Sequence, residues 1–117
     1  MLPRLKHLPR PVQFRDRRPA RGSFAVVAYW NARAGEEDEV ERVLRQLASA
    51  SRREAGCISY SAHRSVDQPS QYVIYECYVD ARAFEYHVGS EHFRALALED
   101  GIPRLASRIR ESYTVIA

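Results

Sequence analysis

Three side chains that can handle protons fall within one short stretch. Glu76, His87 and His92 all lie in ECYVDARAFEYHVGSEHF, which runs from Glu76 to Phe93. A carboxylate near the end of an apolar strand, facing histidines on the helix that follows, is an arrangement from which a small α+β domain builds a general acid–base site. The competing reading makes Glu76 a solvated strand residue and the histidines surface or packing groups of a helix. Position decides between them, so the elements that carry these residues come next.

The strand is Gln71–Val79 (QYVIYECYV), and period two puts Tyr72, Ile74, Glu76 and Tyr78 on one face and Val73, Tyr75, Cys77 and Val79 on the other. Both faces are largely apolar. Asp80 N-caps a helix over 81–87 with Phe84 and either His87 or Val88 facing inward. Gly89 breaks that helix, and Ser90 caps a second helical segment, Glu91–Asp100, ended by Gly101. Upstream, FAVVAYWN (24–31) reads as a first strand and Ala34-Gly35 as a turn. An acidic first turn at 36–39 opens a helix whose inner stripe is Val40, Val43, Leu44, Leu47, Ala48 and Ser51, stopped by Gly56. CISYSAHRSV (57–66) reads as the second strand, closed by a turn at 67–70. YTVIA (113–117) reads as the last strand, with Leu105 and Ile109 in a connection. The order is βαββαβ, the ferredoxin-like α+β fold: a four-stranded antiparallel sheet with helices on one face. A strand apolar on both faces needs a cover on each side, and the chain has helices for only one. The second cover is expected to be another subunit's sheet.

At 117 residues the chain has room for one core. Residues 1–22 hold four prolines and a charge balance of +6, which leaves residues 23–117 at −3. The net charge of +3 therefore belongs to a proline-rich leader or arm, and the acidic body gives no ground for a nucleic-acid partner. No apolar run is long enough to span a bilayer. Folding the hairpin about its turn sets Cys57 opposite the region past Val79 and not opposite Cys77. Two buried reduced thiols are expected, as in a cytoplasmic protein, with no Cys/His spacing that suggests a metal. His63 reads as an exposed strand residue, and His7 lies in the leader.

Three runs, EAGCISY (54–60), QYVIYECYVDARAF (71–84) and HVGSEHF (87–93), resemble the antibiotic biosynthesis monooxygenase domain family in order and spacing, over 23–117. The resemblance implies a dimeric α+β barrel. It also implies one of several activities: cofactor-free oxidation of a phenol or quinol by O2, isomerisation of a small phosphorylated dione, or a non-catalytic binding domain. Heme-degrading relatives carry Asn where this chain has Ala28 and Trp where it has Tyr78, so heme degradation is not expected. For the oxygenase, the residues expected to take the proton are Glu76 and His87. Trp30, Tyr60, Tyr78, Phe84, His92 and Phe93 are expected to line the substrate slot, with no cofactor and no metal. Arg64 and Arg82 are the phosphate candidates for the isomerase. Each aromatic also has an ordinary place in a core.

Overall fold

A computed structural model describes residues 18–117. The chain runs β1 (Phe24–Ala32), α1 (Glu37–Ser51), β2 (Cys57–Arg64), β3 (Gln71–Tyr78) and α2 (Ala81–Val88). A π-helix (Phe93–Gly101), a 3-10 turn (Ile102–Arg104) and β4 (Leu105–Thr114) complete it. The four strands form one sheet in the order β2-β3-β1-β4, antiparallel throughout, which is the ferredoxin-like arrangement. Of the expected leader, residues 1–17 lie outside the described residues. Gly22 already joins the body through its N–H, which donates to the Val115 carbonyl.

The helix-side core follows the two periodicities. Val40, Val43, Leu44, Leu47, Ala48 and Ser51 of α1 are buried, the same stripe the spacing predicts. Each fully buried Val or Leu among them contributes about 1.5–3 kcal/mol. They meet Val26, Ala28, Trp30, Tyr72, Ile74 and Tyr78 on the inner face of the sheet. The register sets these residues in rows across the strands. Tyr60, Glu76 and Val26 form one row, Ala62, Ile74, Ala28 and Arg110 the next, and Arg64, Tyr72, Trp30 and Arg108 a third.

Four details depart from the sequence reading. Strand β4 runs from Leu105 to Thr114, ten residues beginning well before the expected YTVIA. Its apolar residues recur only every fourth position and its inner face carries arginines, so period-two alternation is hidden at this edge strand. Gly56 does not stop α1, which ends at Ser51. Gly56 instead lets the chain pass against α2, where an added Cβ would stand 2.4 Å from the Ala83 Cβ. A β-bulge between Cys57 and Ser59 sets Cys57 opposite Tyr78, short of the expected position past Val79. Both thiols are buried and neither is in a disulfide. The segment after Ser90 is helical but wound with i→i+5 bonds over Phe93–Gly101, wider than the expected α-helix.

Among the described residues no helix lies over the outer face of the sheet. Tyr29, Ile109 and Tyr113 are 42%, 62% and 49% exposed there, beside the half-buried Val27, Val73 and Tyr75.

Candidate functional site

Helix α2 and the turn before it place the histidine. The Asp80 side chain accepts from the Ala83 N–H at 2.9 Å, fixing the start of α2 directly after β3. His87 then falls in the last turn with its side chain 1% exposed. Ser90 Oγ donates to the His87 carbonyl at 2.7 Å and accepts from Phe93 N–H at 3.1 Å. That reversal brings His92, at the entry to the π-helix, onto the same buried carboxylate as His87.

This carboxylate is Glu54, in the loop between α1 and β2. Its Oε2 is 2.7 Å from His87 Nδ1 and 2.5 Å from His92 Nε2, positions from which both ring N–H groups donate to it. With Nδ1 so engaged, His87 turns Nε2 towards Glu76 Oε1, 3.6 Å away and beyond hydrogen-bond reach. Among the described residues this Nε2 and Glu54 Oε1 are buried polar atoms with no hydrogen-bond partner. Glu76 Oε1 in turn accepts from the Tyr78 hydroxyl at 2.6 Å. The result is a buried line, Tyr78, Glu76, His87, Glu54, His92, hydrogen-bonded except across the gap between Glu76 and His87. Only its His92 end, a quarter exposed, approaches solvent.

Burial pushes the Glu76 carboxyl above its ordinary range; the Tyr78 hydroxyl, His87 and Arg110 partly oppose that shift. Burial, and then the charge of Glu76, pushes the Tyr60 and Tyr78 phenols well up, so Tyr78 keeps the proton it donates. Glu54, His87 and His92 offer donor atoms within 4.8 Å of one another, enough to consider a three-ligand metal site. Donors around a tetrahedral zinc ion at about 2.0–2.2 Å stand about 3.3 Å or more apart. The shorter separations at Glu54 Oε2 are those of hydrogen bonds, so an ion would enter only if the three side chains opened.

A cavity of about 460 Å³ lies between the inner sheet face and the helices. It falls in the roughly 300–1,000 Å³ range of small-molecule sites. Of the residues expected from sequence, Glu76, Trp30, Tyr60, Phe84 and Phe93 line it, together with Ala28. His87 and Tyr78 stand behind Glu76, away from the cavity wall. His92 stands further back, bonded to Glu54. Glu54, Arg108 and Arg110 are residues at or behind this cavity that sequence reasoning passes over. Glu54 is signalled only as the acid of Glu54-Ala55-Gly56-Cys57, with no spacing to link it to His87. The two arginines sit in a segment read as a connection, although their i, i+2 spacing would share one strand face.

A second cleft, of about 480 Å³, lies between α1 and β2 and is bordered by Arg45, Arg52, Arg64 and His63. Its size matches the first, but its chemistry does not. Arg45 and Arg64 are paired with Glu41, Arg52 donates to the Tyr60 carbonyl, and His63 bonds Ser61 on the surface. Arg64 lies beside Tyr72, while Arg82 follows Tyr78 at the other end of β3. Six residues of strand, about 20 Å, separate those ends, so the two phosphate candidates do not meet.

Solved structures share this architecture. A Pseudomonas aeruginosa protein is 29% identical, with a TM-score of 0.75 over 82% of this chain and 96% of its own. A Shewanella oneidensis protein is 26% identical, with a TM-score of 0.73 over 86% and 98%. A candidate antibiotic biosynthesis monooxygenase from Caulobacter crescentus is 26% identical, with a TM-score of 0.75 over 83% and 92%. No curated protein sequence matches the chain. The antibiotic biosynthesis monooxygenase family matches residues 23–97, a span that contains Glu54, Glu76, His87 and His92, and the chain belongs to that family.

Proposed function

We propose that the protein is a cofactor-independent monooxygenase that oxidises an electron-rich phenolic ring, of polyketide or quinol type, with O2. One observation carries this reading: a buried carboxylate, Glu76, forms part of the wall of an open aromatic cavity and is held there by a hydrogen bond from the Tyr78 hydroxyl. An open cavity bordered by a carboxylate is also what a domain whose tyrosines fill its interior would lack. Arg64 and Arg82, the phosphate candidates read from the sequence, lie at opposite ends of β3 and do not form one site.

The chemistry uses these groups in turn. Glu76, ionised, takes the hydroxyl proton of the phenol or of the enol form of an anthrone. The resulting electron-rich anion gives one electron to O2, and the radical pair joins at the ring carbon to form a C–O bond. The proton held by Glu76 returns to the distal peroxide oxygen. Loss of the remaining hydrogen on that carbon as a proton breaks the O–O bond, giving the carbonyl and hydroxide, which leaves as water. The sum is one CH2 converted to C=O, with one O2 consumed and one water formed. Tyr78 holds the Glu76 carboxylate in place. His87 presents Nε2 to that carboxylate from behind, and Glu54 holds the His87 ring by Nδ1. Trp30, Tyr60, Phe84 and Phe93 supply the apolar slot.

The reading includes a homodimer formed through the open sheet face, whose exposed Tyr29, Ile109 and Tyr113 form an apolar surface with no cover from the described chain. Purified protein is expected to convert anthrone to anthraquinone with matching O2 uptake, without added flavin and in the presence of a chelator. Loss of activity on chelation, or full activity in a Glu76→Ala/His87→Ala double variant, would overturn the proposal.

A further inference from the structure

The far wall of the cavity is not aromatic. Arg108 and Arg110 both line it from β4, one strand beyond β1. Their i, i+2 spacing puts them on the same strand face, opposite Trp30 and Ala28. The Arg110 guanidinium lies 5.1 Å from the centroid of the Phe84 ring, over the aromatic wall. Arg42, Arg45, Arg64, Arg94 and Arg104 all have carboxylate partners. Among the described residues neither the Arg108 nor the Arg110 side chain has an ion pair or hydrogen bond. Two guanidinium groups thus line the same slot as Glu76, and Arg110 is near enough to offset part of the rise of the Glu76 carboxyl. Between them lies β1, where Ala28 leaves the floor low. The family match ends at residue 97, before both arginines.

We infer that Arg108 and Arg110 form an anion subsite and that the preferred substrate is a phenol carrying a carboxylate or similar anionic group on the ring that bears its hydroxyl. This inference deepens the proposed function by naming the substrate class of the same cavity. Glu76 and Arg110 belong to strands separated by β1, about 10 Å apart across the sheet before side-chain reach is subtracted, so hydroxyl and anion must stand close together, and the planar guanidiniums suit a carboxylate there. The competing account makes the arginines ordinary solvated charges that protect an edge strand from pairing with other chains.

Binding separates the two accounts without any turnover. The probes are 3-hydroxybenzoate and its neutral counterpart 3-hydroxybenzamide, titrated by calorimetry into the full-length protein. The wild type is expected to bind the carboxylate at least about tenfold more tightly than the amide. That preference is expected to vanish in Arg108→Gln/Arg110→Gln and to shrink as salt is raised. Equal affinity for both probes in the wild type, or a preference retained in the double variant, would overturn the inference and leave the arginines as edge-strand charges. If the double variant fails to fold, the wild-type comparison alone still decides. Because neither probe needs to be oxidised, a protein that prefers the carboxylate but never consumes O2 would refute the oxygenase and keep the subsite.

Discussion

At the scale of single residues, the site turns on how Glu76 is held. Burial raises its carboxyl above the ordinary range, so the folded protein binds this proton more tightly than the unfolded chain does. The stability that comes with the protonated form is therefore complete below the ordinary carboxylate range and is lost as pH rises through the raised folded value. Denaturant titrations of wild type and Glu76→Gln from pH 4 to 8 are expected to show the wild type losing stability relative to the variant across that window. For turnover the sign is opposite, because the base must be ionised: kcat should rise with pH through the same raised value. Glu76→Gln should lower kcat by about 10²–10⁴-fold, the usual contribution of a positioned base. The hydroxyl of Tyr78 opposes the burial shift. In Tyr78→Phe the acid limb of the pH–rate profile should move upward, and the protein should lose about 1.5–3 kcal/mol at pH values where Glu76 is ionised.

At the scale of elements, the site depends on how closely α2 approaches the start of β2. Gly56 leaves no room for a Cβ against Ala83, and α2 carries His87. Gly56→Ala is expected to cost about 1–3 kcal/mol in chemical denaturation and to reduce kcat through a displaced His87, whereas an exposed Gly35→Ala change meets no neighbouring atom and costs only its turn conformation. This glycine also shows how far the sequence can be read. Its presence between an acid and a cysteine is visible in the motif, but the helix it touches is 27 positions away and no local pattern reports that distance. The inner stripe of α1 and the Asp80 cap were legible because each is set by neighbours three or four positions apart. The pairing of Glu54 with His87 and His92 was not, since it spans a loop, two strands and a helix. Strand β4 was misplaced for a related reason: its inner face bears Arg108 and Arg110 because it borders a cavity, so the apolar alternation that marks a core strand is missing there.

At the scale of the whole molecule, the described residues cover the sheet on one face only. Outward-facing residues of β1 and β4 leave Tyr29, Ile109 and Tyr113 exposed together. The account expects a homodimer through this face, with twice the chain mass by light scattering. Tyr29→Glu, which places a charge near its middle, should yield a folded monomer with an unchanged far-UV spectrum. A wild-type monomer at micromolar concentration would contradict the expected cover. The ferredoxin-like fold was readable from the sequence because βαββαβ admits few antiparallel sheets; the identity of the second cover was readable only as a need, from a strand apolar on both sides.

The most direct test of the central claim follows the oxygen atom. Purified protein, treated with chelator and free of flavin, is given anthrone under 18O2, and the product is examined by mass spectrometry. The account predicts one 18O atom per anthraquinone above the uncatalysed background, with the rate of incorporation falling about 10²–10⁴-fold in Glu76→Gln. Incorporation no faster than background, or an equal rate in wild type and Glu76→Gln, would contradict it.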